Sequence, residues 1–299
     1  MSDALSRPIC FAQTHAVLMP VRPNLRNLRD ERFHVWRCGT CESLHTFETV
    51  DLARYYREYK FDGGALDWTS RRLLRPHLAR LERAGLRRDQ SILDFGCGTG
   101  KFVQFLQENG YERACGYDAY SPKFKDPSLL EQRYDALFTQ DVLEHAEDPW
   151  AMLRTFDRLL APEGLIMIGT PNAAGIDPTK VERFVHSLHV PFHRHILSER
   201  ALFDVGAKLG WTLVRFYRDA YNTPYPFLNY RYALFYMASW DNTPDSLAQL
   251  KPNLRLVFHP LAYFYALFGA LVPPKSECQI LFRTPSASSG PVRDRRQPS

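Results

Sequence analysis

The strongest constraint on the fold is the segment SILDFGCGTG, residues 91–100, where an apolar strand pattern ends in three glycines separated by single residues. Alternating patterns follow it: a helix over 101–110, strands over 113–118 and 134–140, a helix over 148–160 and a buried strand over 164–170. Such alternation is typical of βαβ units, in which helices cover both faces of a parallel sheet. The predicted fold class is therefore α/β.

Flanking patterns give the domain organisation. Leucines at helical spacing between Asp67 and Ala84 predict a connecting helix within 61–89, and a helix over 198–210 and strands over 211–219 and 278–284 extend the alternation. We therefore expect an N-terminal module over 1–60, an α/β domain over 90–282 with an apolar helical insertion at about 220–274, and a tail over 283–299. The tail is small, polar and proline-rich, which predicts disorder.

Charge and cysteine content limit the function classes. The formal net charge is +5, but residues 91–282 carry slightly more acidic than basic side chains. No basic stripe of the kind that binds a phosphate backbone is present there, so a nucleic-acid partner is disfavoured. Six cysteines in 299 residues do not make a disulfide scaffold, and the N-terminus lacks a secretion signal. We expect a reduced, cytoplasmic protein.

The glycine-rich segment predicts a nucleotide-like ligand. In an open parallel sheet, ligands bind at the carboxyl ends of the strands, which is where Gly96, Gly98 and Gly100 fall. A dinucleotide fingerprint reads G-x-G-x-x-G, whereas here the third glycine comes one residue early. Asp94 would also repel a pyrophosphate. A cationic adenosyl ligand without phosphates is therefore favoured.

These segments together resemble a known family. ILDFGCGTG is similar to the first motif of class I S-adenosylmethionine-dependent methyltransferases, and GYDAYSP resembles their second strand with its ribose-binding acid. Residues 134–172 and the segment HRHILSERALFDVGAKLGW resemble the branch that contains ubiquinone-biosynthesis O-methyltransferases and bacterial natural-product and sugar methyltransferases. The resemblance implies a Rossmann-like sheet that binds S-adenosylmethionine through Asp94, Phe95, Gly96, Cys97, Gly98, Gly100, Asp118 and Asp141.

One segment departs from the family pattern. Only about 15 residues separate Asp118 from the strand at Tyr134, too few for the helix and third strand that usually intervene. We expect at most one short element there. Phe124 or Leu129 would then be available to stack on adenine, and Asp126 to contact it.

Acids and histidines follow the fourth strand of the family pattern. Asp141, Glu144 and His145 could converge with His193, or less well with His195, on a magnesium-type ion, as the resemblance to small-RNA 2′-O-methyltransferases also implies. Alternatively, His145 or His193 is a catalytic general base assisted by Glu144. In a third interpretation, Glu144 and His145 only cap a helix. The sequence leaves all three open.

The N-terminal module carries a candidate zinc site. Cys38 and Cys41 form a C-x-x-C pair, and Cys10 with His15 completes a Cys3His set. It resembles a ribbon found in some methyltransferases of this branch, which is followed by a tyrosine-rich segment like RYYREY (residues 54–59). A metal-free relic and a thioredoxin-like redox pair are the alternatives.

Residues 256–272 form an uncharged apolar segment. It is shorter than the roughly 20 residues of a bilayer span and contains His259 and Pro260. It could form a lid or a homodimer helix, contact a membrane surface, or span a membrane. The protein is accordingly expected to be cytoplasmic, or peripheral to a membrane if this segment contacts lipid.

The function implied by the resemblance is methyl transfer from S-adenosylmethionine to a hydroxyl or carbon of a small-molecule acceptor. Sugars, quinone-like compounds and natural-product intermediates are the acceptors of that branch, and Thr170, Pro171 and Asn172 would line the acceptor side. Two other functions stay open: a catalytically silent relative that binds the cofactor, and a nicotinamide-dependent oxidoreductase, which the glycine spacing disfavours.

Overall fold

The structure is a computed structural model that describes residues 9–11, 17–23, 28, 30–48, 50–51, 65–219, 223, 225–240, 256 and 258–287. Its strands are β1 (Met19–Val21), β2 (Phe33–Arg37), β3 (Leu44–Thr46), β4 (Ile92–Phe95), β5 (Ala114–Tyr117), β6 (Tyr134–Gln140), β7 (Leu160–Pro171), β8 (His195–Ile196), β9 (Thr212–Tyr217) and β10 (Glu277–Arg283). Its α-helices are α1 (Trp68–Arg83), α2 (Lys101–Glu108), α3 (Pro149–Leu159), α4 (Val185–Leu188), α5 (Glu199–Lys208), α6 (Tyr230–Ala238) and α7 (Pro260–Phe268).

The main sheet has six strands in the order β5-β4-β6-β7-β10-β9. The pairs β4–β5, β4–β6 and β6–β7 are parallel, whereas β10 runs antiparallel to both β7 and β9. The antiparallel register places Glu277, the first residue of β10, opposite Pro171, the last residue of β7. The start of the last strand therefore lies at the carboxyl ends of the parallel strands.

Helices cover both faces of this sheet, as the alternating pattern predicts. On β4, Ile92 belongs to an apolar cluster with residues of α1 and α2, and its neighbour Leu93 belongs to a second cluster with residues of α3 and α5. Successive side chains of a strand point to opposite faces, so the two clusters are the two cores of a three-layer α/β domain.

The helix ends follow local chemistry. Asp67, Asp148 and Ser198 precede α1, α3 and α5, and each accepts a hydrogen bond from a backbone N–H of the first turn. Gly85 and Gly210 follow α1 and α5 with φ of 101° and 73°, the left-handed conformation that terminates helices. The predicted helix boundaries are therefore close to the observed ones.

The connection from β5 to β6 is as short as predicted. It holds a single 3-10 turn, Pro127–Leu130, and the six-stranded sheet ends at β5 without a further strand. Near the other edge, β10 lies between β7 and β9 and continues to Arg283, and Thr284 is buried. The predicted start of a disordered tail at residue 283 is thus wrong, because this residue still pairs with Leu165; residues 288–299 lie outside the described residues.

A second, small sheet joins the N-terminal module to the α/β domain. Its order is β1-β2-β3-β8, and the C-x-x-C pair lies in the turn between β2 and β3, as in a ribbon. The fourth strand of this small sheet, His195–Ile196, comes from the segment that follows β7. The module and the α/β domain therefore share this sheet.

Candidate cofactor and acceptor cleft

A large cleft opens at the carboxyl ends of β4, β5 and β6. Its volume is about 2020 Å³, more than the roughly 300–1,000 Å³ of a typical small-molecule site. The glycine-rich loop lies on one side, and the histidine segment 186–193 with helix α6 on the other. The cleft is large enough for a cofactor and an acceptor together.

The three glycines of the loop are present for two different reasons. All three have positive φ, at 82°, 54° and 78° for Gly96, Gly98 and Gly100. A Cβ at Gly96 would lie 2.2 Å from Val142, and one at Gly100 would lie 2.1 Å from the Phe124 ring. A Cβ at Gly98 would meet nothing within 4 Å. Only Gly98 leaves its space to the cleft; the other two make room for neighbouring side chains.

Asp118 closes the loop from the end of β5. One carboxylate oxygen accepts from the Gly98 N–H at 2.9 Å, and the other accepts from the N–H groups of Tyr120 and Ser121. Asp118 lines the cleft beside Tyr117 and Tyr120. This is the position expected of an acid that binds ribose hydroxyls.

Asp94 lies apart from the open cleft. It is 4% exposed and does not line the cleft, although Phe95, Gly96 and Cys97 after it do. Burial, with the nearby charge of Asp118, raises the pKa of its carboxyl to about 8. Its role beside the cofactor's ammonium stays a prediction.

The predicted adenine contacts are not those that face the cleft. Phe124 covers Gly100, and the Asp126 side chain caps the 3-10 turn by accepting from the Ser128 N–H. Leu130, one residue after the predicted Leu129, lines the cleft instead. The path of the short β5–β6 connection decides which of its side chains face the cleft. The spacing of residues in the sequence does not reveal that path.

Glu144 and His193 form a buried pair beside the cleft. Glu144 Oε1 lies 3.8 Å from His193 Nε2 and has no hydrogen-bond partner among the described residues, whereas Oε2 accepts from the Thr170 hydroxyl at 2.9 Å. His193 Nδ1 lies 2.7 Å from the Ser187 carbonyl, so it carries the proton and leaves Nε2 free of one. His193 and His145 line the cleft, and Glu144 is fully buried behind them.

Burial keeps this cluster uncharged. It raises the pKa of Glu144 well above its ordinary value and lowers the pKa of His193 well below it. It also lowers the pKa of His145 to about 3. A neutral imidazole can take a proton or bind a cation, so both predicted chemistries remain available to these side chains.

Asp141 stands at the cleft beside this cluster. Its backbone has φ of 56°, and its N–H donates to the Gly169 carbonyl at 2.9 Å. Desolvation by the surrounding protein raises the pKa of its carboxyl to about 7. Because the side chain is accessible, water in the cleft screens this shift. Glu144, His145 and His193 have ligand atoms within 4.8 Å of one another, and Asp141 is not in that group.

Several cleft residues were missed by sequence reasoning. Glu277 lines the cleft from β10 and accepts hydrogen bonds from the hydroxyls of Ser187 at 2.7 Å and Tyr230 at 3.3 Å. His186 and His189 line it as well. Glu277 lies 133 positions after Glu144, so only the antiparallel return of β10 to the end of β7 brings them together.

Two other sequence expectations are corrected by the structure. His195 turns to the small sheet, where its Nδ1 lies 3.0 Å from Nδ1 of His45, and it does not line the cleft. Of the residues that end β7, Pro171 lines the cleft, Thr170 supports Glu144, and Asn172 caps a 3-10 turn. The strand's alternation decides which of them face the acceptor side.

The cysteine cluster lies at the junction of the module and the α/β domain. Sγ atoms of Cys10, Cys38 and Cys41 lie within 4.8 Å of one another, and those of Cys10 and Cys38 are 3.5 Å apart. The predicted fourth ligand, His15, and the tyrosines of segment 54–59 lie outside the described residues. Three of the four predicted zinc ligands are therefore brought together.

The sheet order, its one antiparallel strand, the glycine loop and the acid after the second parallel strand define a class I S-adenosylmethionine-dependent methyltransferase fold. A family model agrees with this class. Through residues 67–215, the chain belongs to the family described as "Methyltransferase domain".

Relatives agree with this assignment. A ubiquinone biosynthesis O-methyltransferase of Caulobacter sp. (strain K31) is 31% identical over 121 residues, which cover 32% of this chain and 48% of that protein. A tRNA U34 carboxymethyltransferase of Trichodesmium erythraeum is 21% identical over 67% of this chain and 64% of its own length. The chain thus spans about half the length of the Caulobacter relative.

Solved structures include distant likenesses. The 1,6-didemethyltoxoflavin-N1-methyltransferase of Burkholderia thailandensis, with bound 1,6-didemethyltoxoflavin and S-adenosylhomocysteine, is 15% identical. The match covers 89% of this chain and 100% of that chain, with a TM-score of 0.46. Similarity at this level does not indicate the acceptor or the mechanism of this protein.

Proposed function

We propose that the protein transfers the methyl group of S-adenosylmethionine to a hydroxyl or carbon of a small-molecule acceptor. The observation that carries the proposal is the open space at Gly98, next to the Asp118 carboxylate, in a cleft whose other wall holds the acid and histidine cluster. The cofactor would lie against the bare backbone at Gly98, with its ribose at Asp118. The rest of the cleft would hold the acceptor.

The transfer needs alignment and one proton acceptor. The acceptor oxygen or carbon attacks the methyl carbon, the carbon–sulfur bond breaks, and its electron pair stays on sulfur to give S-adenosylhomocysteine. The proton released by the acceptor goes to the unprotonated Nε2 of His193, a residue that lines the cleft. Glu144 Oε1 lies 3.8 Å from this nitrogen and has no hydrogen-bond partner among the described residues. The positive charge of the imidazolium would favour ionisation of the Glu144 carboxyl, which would then stabilise the imidazolium.

A divalent cation at the same cluster is the second candidate. Glu144 Oε1, His193 Nε2 and a His145 ring nitrogen could bind such an ion, and Asp141 lies outside the group whose ligand atoms are within 4.8 Å of one another. When bound, the ion would lower the pKa of an acceptor hydroxyl. Calorimetric titration with Mn²⁺ tests it, because Glu144→Gln should abolish binding that Glu147→Gln, an exposed acid nearby, leaves intact.

We also propose a structural zinc ion at Cys10, Cys38 and Cys41, with His15 as the fourth ligand. Burial opposes ionisation of Cys38, but hydrogen bonds from the Cys41 and Thr40 backbone and with the Cys10 and Cys41 thiols together lower the pKa of this thiol. Burial raises the pKa of the Cys41 thiol to about 12, so the first thiolate would form at Cys38. A thiolate is the form that binds zinc. The Cys41 carbonyl also accepts from the Ser198 hydroxyl before α5, so the ion would stabilise the contact between module and domain.

Calorimetric titration with S-adenosylmethionine tests the cofactor site. Wild type should bind one equivalent, and Gly98→Arg should not, because its side chain would fill the cleft at the loop. Gly110→Arg is the matched control: Gly110 also has positive φ, at 89°, but follows α2 away from the cleft. Equal binding by both variants and wild type would contradict the proposal.

Two further assays separate the alternatives. A catalytically silent relative would bind S-adenosylmethionine and form no S-adenosylhomocysteine with any acceptor of a broad panel. A nicotinamide-dependent oxidoreductase would instead quench or shift NADH fluorescence on titration. The proposed methyltransferase gives no NADH signal, and turnover depends on the His193 imidazole.

A further inference from the structure

Helix α7 presents its large apolar side chains outward. Ala262, Ala266 and Gly269 are buried, whereas the large neighbours are exposed, with Phe258 at 86% and Leu271 at 78%. We call this surface the α7 face; it consists of Phe258, Leu261, Tyr263, Phe264, Leu267, Phe268, Leu271 and Val272. A helix of a water-exposed surface normally shows the reverse pattern. Small residues at a helix contact and large apolar residues outward are typical of helices in lipid.

Specific contacts hold the α7 face in place. Asn229, the N-cap of α6, donates its side-chain amide to the carbonyls of Tyr265 and Ala266. The Phe227 N–H donates to the Ala266 carbonyl at 2.9 Å. A Cβ at Gly269 would lie 2.2 Å from the Asn229 amide oxygen, so the small residues permit this close packing. The outward orientation is therefore a fixed part of the fold.

Residues in contact with α7 also line the cleft. Phe227, whose N–H donates to the Ala266 carbonyl of α7, is 53% exposed and lines the cleft, and Leu73 is another exposed apolar residue that lines it. Helix α6, against which α7 packs, contributes Tyr232 and Tyr236 to the cleft wall. A lipid layer in contact with α7 would therefore lie next to residues that line the cleft.

The segment that carries the α7 face contains no acidic residue. Residues 256–276 contain no acidic side chain, and Lys275 is exposed at their end. Arg231 lies over the Tyr265 ring at 5.2 Å, and Arg72 lies 4.2 Å from the rings of both Trp68 and Tyr225. Basic and amphipathic aromatic side chains around an apolar surface are what a negatively charged lipid interface attracts.

We propose that the α7 face docks on the surface of an anionic lipid bilayer. The helix would lie in the plane of the interface with its large apolar side chains among the acyl chains. No helix in the described part of the chain is long and apolar enough to cross a membrane. If the proposed methyl transfer is correct, the cleft mouth at the membrane favours an acceptor with an apolar tail.

Vesicle sedimentation tests the docking without cofactor or acceptor. The full chain should co-sediment with phosphatidylcholine vesicles that contain phosphatidylglycerol, and less with phosphatidylcholine alone. Phe264→Ser and Leu267→Ser should each lower the partition coefficient roughly tenfold, the size expected for one large apolar side chain. Leu213→Ser is the matched control, since Leu213 is 45% exposed on β9, outside the α7 face. Lys275→Glu should weaken binding only to the anionic vesicles.

Three outcomes would overturn the proposal. One is absence of co-sedimentation by the wild type, and another is equal loss in the Leu213→Ser control. The third is a dimer in light scattering that Phe264→Ser dissociates, which would assign the α7 face to a second copy of the chain. Urea denaturation of each variant, measured without vesicles or cofactor, distinguishes a loss of docking from a loss of folding.

Discussion

Replacing each cleft-loop glycine by alanine separates packing from ligand space. Gly98→Ala places a Cβ at φ of 54° in open space, so it costs only the left-handed backbone penalty, about 1–2 kcal/mol. Gly100→Ala pays the same penalty and forces a methyl group to within 2.1 Å of the Phe124 ring. Overpacking of this kind adds about 1–3 kcal/mol.

Urea denaturation without ligand, followed by calorimetric titration with S-adenosylmethionine, measures both effects. Gly98→Ala should lose only the backbone penalty of about 1–2 kcal/mol. It should bind the cofactor roughly tenfold more weakly, because the added methyl group would occupy space against which the ligand packs. Gly100→Ala should lose markedly more stability. Gly85→Ala, whose Cβ meets only Arg283 at 3.8 Å, is the matched backbone control outside the cleft.

The reasoning would be refuted by either of two results. If the Gly98→Ala variant binds S-adenosylmethionine as tightly as wild type, the cofactor does not contact the backbone at this position. Equal losses of stability for the Gly98 and Gly100 variants would show that the contact between a Cβ at Gly100 and the Phe124 ring does not determine packing at the loop.

Three further predictions concern other parts of the chain. Burial raises the pKa of Glu277 from 4.5 to about 8, so its protonated carboxyl stabilises the fold fully at low pH and this contribution is lost as pH rises through 8. Glu277→Gln should therefore reduce the loss of urea stability between about pH 5 and pH 9. Thr46→Val removes the hydroxyl bond to the His193 carbonyl at 2.7 Å. It should cost about 1 kcal/mol in urea titrations, and Thr46→Ser should not. Cys38→Ser should lower the zinc content measured by mass spectrometry, whereas Cys115→Ser should not.

Local sequence patterns predict most of the α/β domain correctly. The strand at 91–95, the helices with their caps and the short β5–β6 connection all depend on periodicity, turn residues and chain length. These are properties of neighbouring residues, which the sequence contains in full. The glycine loop is recognisable for the same reason.

Local sequence patterns do not reveal which distant segments of the chain pair with one another. Glu277 enters the cleft only because β10 returns antiparallel to β7, and Tyr230, which donates to Glu277, comes from α6. No spacing in the sequence relates either residue to Glu144. His195 is two residues from His193 and faces the other way because β8 pairs with β3. The glycines show a further limit of sequence-based prediction. At Gly100 the missing side chain makes room for Phe124, whereas at Gly98 it leaves open space, and the sequence does not distinguish the two.

The central claim is that the loop after β4 and the acid after β5 hold S-adenosylmethionine. The most direct measurement is calorimetric titration of the purified full chain with S-adenosylmethionine and, separately, with NADH. We predict saturable binding of one equivalent of S-adenosylmethionine, lost in Asp118→Ala and retained in Asp89→Ala, an exposed acid in the turn before β4. Absence of saturable binding by the wild type, or saturable binding of NADH instead, would contradict the account.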